Sequence, residues 1–130
     1  MNPFAAASIR KAERKLIAAR SHSIEIAAGS VIHDCYYAMH HAARAVLHAR
    51  SGDAPTKHAA VIAAFAGLSR ELDGTGMLGR TLKQAFDARL KEDYDTAYTT
   101  AVDMARATLI GTESFVAACL EFLGVAGESE

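Results

Sequence analysis

The chain has little of what staples or interrupts a small protein. Its 130 residues include two prolines, two cysteines and no tryptophan, and only 7% are aromatic. Scarce proline leaves room for long unbroken helices. Cys35 and Cys119 show neither a disulfide framework nor a zinc-type spacing, and both fall on apolar helical stripes, where cysteine behaves as a small buried hydrophobe. No apolar run reaches the roughly 20 residues needed to cross a bilayer, and no basic leader with an apolar segment and cleavage site opens the chain. The expectation is a protein of the reducing cytoplasm with no membrane attachment. A formal charge of −1 excludes a surface dominated by phosphate neutralisation, although a local nucleic-acid site stays open. The run Arg10, Lys11, Ala12, Glu13, Arg14, Lys15 is locally basic, but its interleaved glutamate reads as a solvated helix face.

What is abundant is alanine, in a chain that is 51% hydrophobic. Alanine loses least on entering a helix, so the composition favours helix over sheet. Apolar residues recur at helical spacing from about Asn2 to Ser21, and again from Ser23 or Ile24 to His48. Turn residues from Ser51 to Pro55 separate a third helix, with Pro55 in its first turn and Thr56 available as a cap. Asp73, Gly74, Thr75 and Gly76 close it, and a fourth runs from about Met77 to Glu92. Asp95 or Thr96 would cap the last helix, ahead of a frayed acidic tail from about Gly124. The predicted fold is all-α: one domain over 1–130, an up-and-down bundle of four main helices plus one shorter.

Candidate chemistry concentrates between Asp34 and Arg44. Val31, Cys35, Ala38, Ala42 and Val46 form one apolar stripe, while Asp34, Tyr37, His41, Arg44 and His48 form a neighbouring polar one. Tyr36 and Tyr37 point about 100° apart, so one packs in the core and the other faces a groove. A second anomaly lies in the fourth helix, where the core stripe of Leu78, Leu82, Ala85 and Phe86 continues onto Arg89 and Asp93. Their i, i+4 spacing lets guanidinium and carboxylate meet, and a guanidinium at an apolar position must be paired or lose several kcal/mol. The pair therefore belongs to a structural network or to a pocket.

The histidines have no i, i+3 or i, i+4 partner among themselves and no Glu-x-x-His pattern, so no metal site is expected. No phosphate-cradling glycine motif or nucleophile elbow is present, which leaves no cofactor and no catalytic residue assigned.

Three blocks carry a resemblance to a known family. Tyr36 to Arg44 resembles the Tyr-Tyr-Ala-Met-Phe-His-Ala-Ala-Arg signature of the HEPN superfamily, specifically the short bacterial proteins grouped as UPF0332. Thr56, Lys57 and His58, followed by Val61, Ile62 and Phe65, resemble its Lys-Thr-His block with Thr and Lys exchanged. Arg89 through Asp93 and Tyr94 resembles its Arg-x-x-x-Asp-Tyr block. The chain departs from the signature at His40, where the family tends to have Phe, and at Asp34, where many members carry Arg. The resemblance implies a helical bundle, often dimeric, that occurs beside a minimal nucleotidyltransferase in toxin-antitoxin or related modules. It further implies that active members cleave RNA with an Arg and a following His separated by four to six intervening residues. Here Asp93 follows Arg89, while Arg44 with His48 and Arg50 with His58 are each one residue off that spacing.

The function expected is a HEPN-type nucleotide- or RNA-binding homodimer with a nucleotidyltransferase partner. Its candidate binding residues are Arg89, Asp93, Tyr94, Tyr37, His41, Lys57 and His58, with Tyr94 placed to stack on a base or accept a nucleotidyl group. One alternative is a metal-independent HEPN ribonuclease with a non-standard Arg/Asp site, using His41 or His58 from elsewhere in the bundle. The other is a structural adaptor with Arg89 buried in an ion pair.

Overall fold

A computed structural model describes residues 1–94 and 99–124. The described residues form five helices and no strand: α1 (Pro3–Ser21), α2 (Ile24–Ser51), α3 (His58–Asp73), α4 (Met77–Tyr94) and α5 (Val102–Phe122). The all-α bundle is as the composition and periodicity predict. α2 is its axis, packing against each of the other four helices. Val31, Cys35, Ala38, Ala42 and Val46 are all fully buried, so the α2 stripe is core along its whole length. Tyr36, Met39, Phe65, Leu82 and Phe115 fill the centre, with Phe65 and Phe115 rings 5.5 Å apart.

The helix ends show where local chemistry decides. Asn2 accepts a hydrogen bond from Ala5 N at 2.8 Å, with Pro3 at the first helical position, and Asn2 Nδ2 donates to the His48 carbonyl at 3.0 Å. One side chain thus caps α1 and ties it to the far end of α2. α2 carries a break at Ala27 (φ −128°, ψ 42°), just ahead of Gly29, and there the Glu92 carboxylate of α4 packs so closely that a methyl group would displace it.

Two predicted helix starts are corrected. α3 begins at His58, with Lys57 at the cap position and no side-chain cap, because the Pro55 carbonyl is held by Arg44 Nε at 2.9 Å, which keeps the chain ahead of Lys57 in the loop. Thr56 therefore caps nothing. α5 starts at Val102 after Ala101; the expected caps Asp95 and Thr96 lie outside the described residues, as does the tail beyond Gly124. α4 runs two residues past Glu92, which keeps Arg89, Asp93 and Tyr94 on one helix.

The α3–α4 corner is built on Asp73. Its carboxylate accepts from the N–H groups of Thr75, Gly76 and Leu78 at 2.9, 2.7 and 3.0 Å and from the Ser69 hydroxyl at 3.1 Å. Gly74 takes the left-handed conformation (φ 73°) that ends α3. Two residues into α4, Gly79 lies so near α3 that an added Cβ would come within 3.0 Å of the Ala66 Cα. Gly79→Ala is expected to cost about 1–3 kcal/mol by forcing the helices apart. Gly67→Ala, on the open side of α3 with nothing within 4 Å, should instead stabilise by roughly 0.5–1 kcal/mol through helix propensity. Urea unfolding of both variants checks the opposite signs, and equal shifts would refute the close packing.

Candidate functional site

Where α2, α3 and α4 meet, the sequence places rings above a guanidinium. The Arg89 Cζ lies 5.4 Å from the centroid of Tyr37 and 6.0 Å from that of Tyr36, near enough for cation–π attraction to both. The side chain is only 13% exposed, and its Nε stands 2.7 Å from Asp93 Oδ2. That Nε–H does not point along the line to the carboxylate and makes no regular hydrogen bond. The contact is an ion pair closed through Nε rather than through the terminal nitrogens, which are the ones suited to fork a phosphate.

Tyr36 is the hub beneath. Fully buried, its hydroxyl sits 2.5 Å from His58 Nδ1 and 3.5 Å from His40 Nδ1, and its ring packs on Phe86 at 5.4 Å. Phe86 also stacks on His58, at 5.9 Å and 20°. The expected division of the two tyrosines is observed: Tyr36 is core, and Tyr37 is half-buried on the groove side. His40 and His58 rings are 4.6 Å apart, with His41 6.3 Å from Tyr37.

Burial keeps these imidazoles neutral. The His40 pKa falls to about 3, first through desolvation and then through the neighbouring His58, His41 and Arg44. His41 drops to about 4 through desolvation, then through the charges of Lys11, Arg44 and Lys15. His58 is lowered by burial and by Arg89, which places that imidazole within reach of the guanidinium's field. Burial likewise pushes the Tyr36 phenol up. At neutral pH the site is therefore the Arg89–Asp93 ion pair beside uncharged hydrogen-bonding rings.

Of the predicted site residues, the fold brings Tyr37, His41, His58, Arg89 and Asp93 into this cluster. Lys57 is exposed at the start of α3, and Tyr94 is 73% exposed at the end of α4. Asp34 does not face Arg89; it turns to His22 (2.8 Å) and lines a polar cavity of about 370 Å³ with His33, Glu92 and Asp93. His48, on the predicted polar stripe, is buried and stacks on Phe4 at 5.6 Å. Among the described residues no group of three or more His, Cys, Asp or Glu side chains is arranged to hold a metal. No described helix is long and apolar enough to cross a membrane.

Sequence reasoning missed three members. Tyr36 and His40 looked like packing, and Lys15 like a solvated face. Yet the Lys15 ammonium stands 5.8 Å from the Tyr37 centroid. The available signal was the pairing of Lys11 and Lys15 four residues apart on α1.

Among curated proteins, none matches the chain. The family comparison does: the HEPN domain model matches residues 5–123, spanning all five helices and every residue of the cluster just described, and the chain belongs to the HEPN domain family.

Proposed function

We propose that the face formed by Tyr37, His41, Arg89 and Asp93 binds the phosphate of a nucleotide or an RNA strand. The observation that carries this is the guanidinium held over two tyrosine rings, at 5.4 and 6.0 Å from their centroids, and paired with Asp93 through Nε. Such a side chain is held in place before a ligand arrives, which reduces the entropy lost on binding. HEPN domains are in general nucleotide- or RNA-related, which agrees with this chemistry. The exposed Tyr94 and Lys57 would meet a base or a second phosphate at the rim, and Tyr94 is accessible enough to accept a nucleotidyl group. The working unit in this proposal is a cytoplasmic homodimer acting with a minimal nucleotidyltransferase in a toxin-antitoxin or related module.

Arg89→Met keeps the aliphatic bulk and removes the fork. It should weaken binding of uridine monophosphate by about 10- to 100-fold, the range expected for losing charge-assisted hydrogen bonds. Titration calorimetry of both proteins measures this, with a thermal melt alongside. Unchanged affinity would end the proposal and favour the structural adaptor.

A second reading is favoured by one observation: His58 and Arg89 both lie against the rings of Tyr36 and Tyr37, although the sequence has no Arg followed by His at the family's separation. In a metal-independent ribonuclease, His58 Nδ1 would donate to the Tyr36 oxygen, and the Tyr36 hydroxyl to His40, leaving His58 Nε2 as base. It would take the proton of a ribose 2′-hydroxyl as the 2′-oxygen displaces the 5′-oxygen at phosphorus, and water would protonate the leaving group. Arg89 would neutralise charge on the phosphate oxygens. Incubation with RNA in EDTA tests it; cleavage lost in both His58→Ala and Arg89→Met establishes the enzyme, and intact RNA with wild type excludes it.

A further inference from the structure

We infer that the binding face continues past Tyr37 onto α1, where Lys11 and Lys15, with Arg44 of α2, form a second phosphate subsite, so that the ligand is a single-stranded oligoribonucleotide rather than a mononucleotide. The inference rests on Arg89 being the first phosphate group, as proposed above.

The geometry is a row of cations drawn from three helices. Lys11 and Lys15 lie four residues apart, on one face of α1. Lys15 and Arg89 share the Tyr37 ring, at 5.8 and 5.4 Å from its centroid, so that tyrosine stands between a cation from α1 and one from α4. Arg44 joins from α2, its guanidinium anchored by Nε to the Pro55 carbonyl at 2.9 Å. Lys11, Lys15 and Arg44 all act on His41, whose buried Nδ1 has no hydrogen-bond partner.

Some cations elsewhere on the surface are paired. Arg20, Lys83 and Arg106 each meet a carboxylate, in Glu113, Asp87 and Glu25 respectively. Among the described residues none of Lys11, Lys15 and Arg44 does. Like charges gathered without counter-ions repel one another, and a polyanion laid across them relieves that repulsion. Phosphate-binding groups on either side of one tyrosine suit an unpaired strand, whose flexible backbone can carry successive phosphates from one to the other. A mononucleotide would occupy one end of the row and leave the other bare.

The test measures affinity for an octauridylate and for uridine monophosphate over a range of salt. Wild type, Lys11→Gln/Lys15→Gln and Arg89→Met are compared. The double variant should weaken the octamer about tenfold or more and lower the salt slope by about 1.4, since each of the two lost phosphate contacts on a single strand removes roughly 0.7. Uridine monophosphate binding should not change in Lys11→Gln. Lys11→Gln alone, at an exposed position, should give about half the slope change and guards against a folding defect at Lys15.

If both ligands weaken alike in the double variant, or the octamer is unaffected, the second subsite is wrong. If the octamer binds through Lys11 and Lys15 while Arg89→Met changes nothing, the cationic row stands and the Arg89 reading falls. If neither ligand binds wild type, both fall.

Discussion

Acidifying the protein from pH 7 to pH 4 is expected to remove several kcal/mol of folding stability, and His40→Phe is expected to remove much of that sensitivity. His40 is 4% exposed and titrates in the folded state at about 3, against an ordinary value near 6.5. The folded protein thus binds fewer protons than the unfolded chain across that window, so stability is complete above about 6.5 and is lost as pH falls toward 3. Each pH unit inside the window costs on the order of 1.4 kcal/mol per such histidine, which gives about 2–4 kcal/mol from His40 by pH 4. His41, titrating at about 4, acts in the same direction but is partly exposed, so its share is discounted for solvent screening. Asp73 adds to the fall at the acid end, because the Leu78, Thr75 and Gly76 amides hold its carboxyl well below the usual carboxylate range. That stability is present above about pH 4 and is lost below it. Phenylalanine at position 40 cannot titrate and fills the same apolar space. Urea unfolding of wild type and His40→Phe at pH 7.5, 5.5 and 4.5 settles the matter; parallel pH profiles would show that His40 is not buried in its neutral form.

Tyr36→Ala should destabilise by about 3–5 kcal/mol, the range for emptying a buried aromatic site. Tyr36→Phe should cost only about 1–2 kcal/mol, because it removes the hydroxyl bond to His58 and keeps the ring. The two variants separate what the ring and the hydroxyl do. The ring lies under Arg89 and beside Tyr37, so Tyr36→Phe should bind uridine monophosphate as wild type does. The same variant breaks the His58–Tyr36–His40 relay, so in the ribonuclease reading it would slow cleavage without altering affinity. Urea unfolding at pH 7.5 gives the stabilities and calorimetry gives the affinities. A Tyr36→Phe loss as large as that of Tyr36→Ala would mean the hydroxyl, not the ring, organises the site.

Periodicity along single helices was the most legible part of the sequence. The α2 stripe from Val31 to Val46, the pairing of Arg89 with Asp93, and the split between Tyr36 and Tyr37 all follow from 3.6 residues per turn, and all are observed. Helix starts were less legible, because they depended on competing partners: Thr56 is a good cap by type, yet Arg44 had already taken the Pro55 carbonyl. In α5 the core positions Thr112 and Phe115 were not anticipated. Thr112 is tolerated there because its hydroxyl donates to the Thr108 carbonyl at 2.7 Å and leaves no polar group unpaired.

The sequence by itself determined the class of fold, the central helix and the residues that share each helix face, since these rest on local propensity and the turn-by-turn repeat. Only the tertiary structure decided that Lys15 of α1, Tyr37 of α2, His58 of α3 and Arg89 of α4 gather around one spot, and that Asp34 turns away from it to His22. The reason is that the rotation and relative height of packed helices are set by how whole side-chain surfaces interlock, and spacing along any one helix carries no record of that.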